Sequence, residues 1–159
     1  TYTEAETISV MGHSMGVTLL RLAIQGGNYL GEDLGPTLTD RISVFVGIAG
    51  ANLGVNMCTS PFSAITTVCN RETGFHPESD LYLRLNTNPI RLATHVYSIW
   101  TPDDEVLNRA VPGSQDIVPS PITSPIPGQD GEFTLPGRTH IGARDESTDI
   151  QIDLLELAL

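Results

Sequence analysis

The sequence predicts an α/β fold in which parallel strands alternate with helices or long connections. Three observations carry that expectation. Arg41 to Gly50 (RISVFVGIAG) and Ala93 to Thr101 (ATHVYSIWT) are nearly continuous apolar runs, as strands buried on both faces require. A shorter run, Ile8-Ser9-Val10-Met11, is followed by Val17, Leu20 and Ile24 at i, i+3 and i+7, the spacing of one helix face. Strands separated by helices or long loops instead of tight hairpins point to a parallel sheet. A length of 159 residues suits a single domain, residues 1–159, with one core.

The first element is a strand, a sharp turn and a helix, with Gly12-His13-Ser14-Met15-Gly16 at the turn. A serine between two glycines in that setting reads as a nucleophile elbow, where a strained backbone lifts the hydroxyl clear of the sheet. Gly12 and Gly16 are both expected to leave room where a side chain would strike the adjoining strand or helix. Chance alone supplies about 0.1 such matches in a chain of this composition, so the flanking strand and helix carry the reading. Gly26-Gly27 supplies a helix stop, and Asn28 to Asp40 reads as a polar, glycine-rich turn region.

The strand over residues 41–50 leaves through the small residues Gly50 to Gly54, at what should be a ligand-binding carboxyl edge. Residues 55–78 have no clear period and are expected to form an irregular excursion over the site. They contain the only cysteines, Cys58 and Cys69, whose spacing matches no metal motif. A disulfide closing a loop of about a dozen residues is expected, and would imply an oxidising compartment. Two unpaired core cysteines are the alternative. Ser79 to Leu85 suits one or two helical turns, and Ala93 to Thr101 a third strand. Residues 105–137 are too rich in Pro and Gly for a long element, although Glu132 to Leu135 fits a short strand. At the carboxyl end, Ile150, Leu154 and Leu157 fit a helix, whereas Ile150, Ile152 and Leu154 alternate as in a strand. Asp145 and Glu146 suit a helix N-terminus and favour the helix.

Composition excludes several chemistries. A net charge of -11 argues against nucleic acid as a partner and against a basic membrane-binding patch. All eight basic residues are arginine, which removes Schiff-base chemistry, the phosphate-loop lysine and Ser-Lys hydrolysis together. No signal peptide is recognisable, and no apolar run approaches the roughly 20 residues of a membrane span. A serine nucleophile here must take a histidine as its base, itself oriented by a carboxylate. In this motif's setting the order is Ser, acid, His. His13 lies inside the elbow and is assigned to packing or hydrogen bonding beneath the turn. His76 and His95 precede the best acid candidates, leaving His140 as the candidate base. Asp103 and Asp104 follow a strand end and are the candidate acids, with Asp130 a fallback in a turn-like context. Met15 follows the nucleophile and is expected to contribute its backbone N–H to an oxyanion hole.

GHSMG with its helix, GIAGAN, SIWTPDDEV and the late HIG together resemble the class 2 lipases of the α/β-hydrolase superfamily, from about residue 8 onward. The resemblance implies hydrolysis of carboxylic esters without a cofactor, Ser14 attacking, His140 shuttling the proton and Asp104, preferred over Asp103, orienting it. It implies an ester substrate and a secreted protein. The run from GHSMGV through AGANLGVNMC to GFHPES is also similar to extracellular polyhydroxyalkanoate depolymerases, which would apply the same chemistry to a polyester. Family members carry strands and a second oxyanion-donating loop before the elbow. The expectation is therefore the carboxyl-terminal part of an α/β-hydrolase fold. A missing oxyanion donor would cost about 10²–10³ in rate. No ligand loop for calcium or another metal is identified.

Overall fold

The computed structural model describes residues 4–60, 66–87, 89–108 and 123–157. Strand β1 (Ile8–His13) runs into helix α1 (Met15–Gln25), which ends at Gly26 with φ 61°. The next stretch, expected to be only a turn region, contains a small hairpin of β2 (Asn28–Tyr29) and β3 (Glu32–Asp33). Its two-residue strands are too short to leave a period in the sequence. Strand β4 (Ile42–Ile48), helix α2 (Asp80–Thr87), strand β5 (His95–Trp100) and strand β6 (Gly131–Thr134) follow. The chain then forms a short turn of helix α3 (Gly142–Asp145) and helix α4 (Thr148–Glu156).

Four strands pair in the order β1-β4-β5-β6, and every pairing is parallel. Helices flank this sheet, so the arrangement is α/β. Successive residues of a strand face opposite sides, and β4 shows the consequence from Val44 onward, a register shift in its pairing with β1 bringing Ile42 to the face of Phe45. Ile42 and Phe45 join Val17 and Ile24 of α1 on one face, together with Val10 and Val96. Val44, Val46 and Ile48 join Ala143 and Leu154 of α3 and α4 on the other, with Met11 and Ile99. Both faces are covered, which is why β4 reads as an almost unbroken apolar run. Each fully buried Val, Ile or Phe contributes roughly 1.5–3 kcal/mol.

The carboxyl-terminal segment is helical. Leu154 is buried while Ile152 points outward, which a strand with both residues on one face could not do. Two details differ from the sequence reading. Asp145 ends α3 and pairs with Arg144 instead of opening the long helix, which starts after Ser147. Leu157 lies beyond α4 and is exposed. Within the excursion over residues 55–78, short 3-10 turns form at Asn56–Thr59 and Thr67–Cys69, and Cys58 and Cys69 are joined by a disulfide. Part of the proline-rich stretch, residues 109–122, lies outside the described residues.

Candidate active site

Because all four strands point the same way, their carboxyl ends, at His13, Ile48, Trp100 and Thr134, lie along one edge of the sheet. Ser14 stands immediately beyond β1. Its amide donates to the carbonyl of Ile48 at 2.9 Å, extending the ladder by one bond, and its own carbonyl accepts from Val17. Between those bonds the backbone reverses from strand to helix, and Ser14 takes φ 56°, ψ -127°. A residue with a side chain at positive φ costs about 1–3 kcal/mol and persists only when its surroundings impose it. Gly12 is part of that imposition: a Cβ there would lie 2.8 Å from Leu20 Cδ1 and 3.0 Å from the Val17 nitrogen. Gly16 is not. A Cβ at Gly16 meets nothing within 4 Å, so the expected collision is absent and a glycine is not sterically required there.

The loop after β5 places the two adjacent aspartates differently. Asp104 is 1% exposed, and its Oδ1 accepts from the amides of Val106 and Leu107 at 2.9 and 2.8 Å. Its Oδ2 lies 2.7 Å from His140 Nδ1, and His140 is itself buried. A carboxylate can only accept, so Nδ1 carries the proton and Nε2 is left as the basic nitrogen. Asp103 is exposed, and its Oδ2 accepts from the amide of Gly137 at 2.6 Å. It ties the two loops together without touching the imidazole. Thr101 does the same, donating to the carbonyl of Arg138. Asp130, the fallback acid, bonds elsewhere in the sheet. It caps the amino end of the sheet, bonded to Arg91 and to the Val96 amide, and Arg91 holds its carboxyl below the usual range.

His95 opens β5 at the opposite end, and His76 Nδ1 accepts from the Glu78 amide within its own loop. His13 stands at this edge. Its ring packs on that of His140 with centroids 4.8 Å apart, and its Nε2 donates to the His140 carbonyl at 3.2 Å. Burial is the main reason its imidazole is held below the ordinary histidine pKa, and it outweighs the bond to the His140 carbonyl, which acts in the opposite direction. Glu105, which the sequence reading passed over, accepts from the His140 amide at 2.8 Å.

A cavity of about 210 Å³ opens beside Ser14 and Met15. Val55, Met57, Phe75 and Leu107 wall it, and none of the described residues lining it is charged. The cysteine-bearing excursion supplies one side of it through Met57, Cys58 and Val68. The Ser14 hydroxyl makes no hydrogen bond among the described residues. No group of metal-binding side chains occurs among them either.

The family model for class 2 lipases matches residues 1–153 of this sequence. The chain belongs to the class 2 lipase family. Membership makes it a hydrolase of the lipase and esterase type, for which an ester is the expected kind of substrate. No curated protein matches this class 2 lipase sequence. The family match covers the elbow, the Asp104 and His140 loops and both cysteines.

Proposed function

We propose that this class 2 lipase family chain is a serine ester hydrolase with Ser14 as nucleophile, His140 as general base and Asp104 as the carboxylate that orients it. The observation that carries the reading is the buried 2.7 Å bond between Asp104 and His140 Nδ1, at the same sheet edge as a serine held at positive φ. His140 Nε2 takes the proton of the Ser14 hydroxyl as its oxygen attacks the ester carbonyl. Asp104 stabilises the imidazolium formed. The Met15 amide, at the N-terminus of α1, donates to the developing oxyanion. His140 then protonates the departing alcohol, leaving an acyl-enzyme that water hydrolyses by the same route in reverse. The apolar cavity beside Ser14 accommodates the acyl chain. The disulfide, and the lack of any described helix long and apolar enough to cross a membrane, are compatible with secretion, which we include in the proposal.

A fluorophosphonate should label Ser14, and Ser14→Ala should abolish labelling without lowering the melting temperature. Asp104→Asn should reduce ester turnover by about 10³–10⁴ with little change in KM, because the imidazole loses its productive tautomer. An unlabelled but folded wild-type chain would sink the reading. Release of fatty acid from a long-chain glyceride, compared with clearing of a polyhydroxybutyrate film, separates lipase from polyester hydrolase.

A further inference from the structure

We infer that His13 and Glu105 are positioning residues that grip the main chain of His140 at its C=O and its N–H, registering the base against both the nucleophile's turn and the acid's loop. The inference rests on the proposed Ser14–His140–Asp104 triad. His140 lies in the connection between β6 and α3, outside any regular element. Among the described residues its ring has one hydrogen bond, to Asp104, and a single bond leaves an imidazole free to swing about its partner. The two main-chain bonds remove that freedom: His13 Nε2 donates to the carbonyl at 3.2 Å, and Glu105 Oε2 accepts from the amide at 2.8 Å.

The two residues have a common logic in the chain. His13 directly precedes Ser14, and Glu105 directly follows Asp104. Each candidate catalytic side chain therefore has a neighbour that reports its position to the third segment. Neither His13 nor Glu105 lines the cavity beside Ser14, so their effect should fall on the chemical step and not on substrate binding. The charge state of His13 matters too. Its ring faces the imidazole of His140, with Asp104, Arg144 and Asp145 as the other charged groups acting on the pair. A neutral His13 donates its bond without opposing the positive charge that His140 acquires during turnover.

Two pairs of variants of the full chain test this. His13→Phe keeps a ring against His140 but removes the donor, and His13→Gln keeps a donor. Glu105→Leu removes the acceptor, and Glu105→Gln keeps one. The readout is fluorophosphonate labelling resolved into a maximal rate and a half-saturating concentration, with nitrogen NMR of the imidazoles alongside. His13→Phe and Glu105→Leu should lower the maximal rate about tenfold to a hundredfold at nearly constant half-saturation, as small misplacements of a base do. His13→Gln and Glu105→Gln should stay within about threefold of wild type on the same argument. In the wild type, NMR should find His13 protonated at Nε2 and His140 at Nδ1. If His13→Phe does not fold, Glu105→Asp decides: it keeps the charge and withdraws the acceptor, and an undiminished rate there overturns the inference. A labelled wild type with His13→Phe and Glu105→Leu labelled equally fast overturns the positioning role alone. A folded, unlabelled wild type overturns the triad and this role together.

Discussion

Arg21 projects from the middle of α1 into an interior that offers it no carboxylate among the described residues. It is 2% exposed, and its two terminal nitrogens donate to the carbonyls of Asn52 and Leu85 and to the side-chain oxygens of Asn52 and Asn86. Burial pushes its pKa down to about 10, which still leaves it charged at neutral pH. Asn52 in turn binds the carbonyls of Thr123 and Ser124. One guanidinium thus fixes the exit from β4, the C-terminal turn of α2 and the start of the last described segment. Arg21→Met should cost about 3 kcal/mol, because it strands several buried acceptors at once. Arg21→Lys should recover little of that, since a single ammonium cannot span acceptors arranged for a planar fork. Urea unfolding at constant slope measures both, and a lysine variant as stable as wild type would contradict the account. Two other side chains contribute to the acid response. His13 and Asp130 both have folded-state pKa values below their ordinary ones, His13 through burial and Asp130 through Arg91. In each case the unfolded chain takes up the proton first, so stability is intact above the unfolded value and is lost as pH falls through the folded one. Loss should begin below about pH 6.5 from His13 and continue below about pH 4 from Asp130. His13→Gln should flatten the first limb and Asp130→Asn the second, in denaturation followed across pH.

At the scale of elements, the strand–turn–helix around Ser14 was legible because three independent signals agree there: an apolar run, a glycine-flanked serine and a helical period. The same signals misjudged one detail. Gly12→Ala should destabilise by about 1–3 kcal/mol, since its Cβ meets Leu20 and the α1 backbone. Gly16→Ala, in open space within α1, should instead stabilise by up to about 1 kcal/mol through helix propensity. Thermal melts of the two variants should move in opposite directions. Composition cannot distinguish these glycines, because what surrounds a Cβ is decided by tertiary packing. The β2–β3 hairpin and the α3 turn escaped notice for a related reason, being shorter than one period of any pattern. In the candidate site, chain order left His140 with either Asp103 or Asp104, the lipase resemblance preferred Asp104, and the structure has Asp104 and His140 hydrogen-bonded. Chain order gave no warning of Glu105, whose carboxylate looks like ordinary surface charge until the loop carrying His140 folds over it. His13, expected to pack or hydrogen-bond beneath the turn, meets the ring and the carbonyl of His140 there.

For the whole molecule, the disulfide has effects beyond its own loop. Cys58 and Cys69, separated by 11 positions, each directly follow a residue of the cavity wall, Met57 and Val68. Closing a loop of this length contributes about 3 kcal/mol by restricting the unfolded chain. Reduction should therefore lower the melting temperature by about 10 °C and should raise KM for long-chain esters more than it lowers kcat. An unchanged KM after complete reduction would show that the wall is held by packing alone.

The common direction of the four strands also separates the molecule into an end where chemistry is proposed and an end that only holds the sheet together. Asp40, just before β4, and Thr94, just before β5, are exposed at the second end. The sequence contains no lysine. A lysine introduced as Asp40→Lys or Thr94→Lys would be the sole side-chain amine, so with the α-amino group blocked, amine-reactive attachment to a bead or film would seat the protein by that edge with Ser14 facing outward.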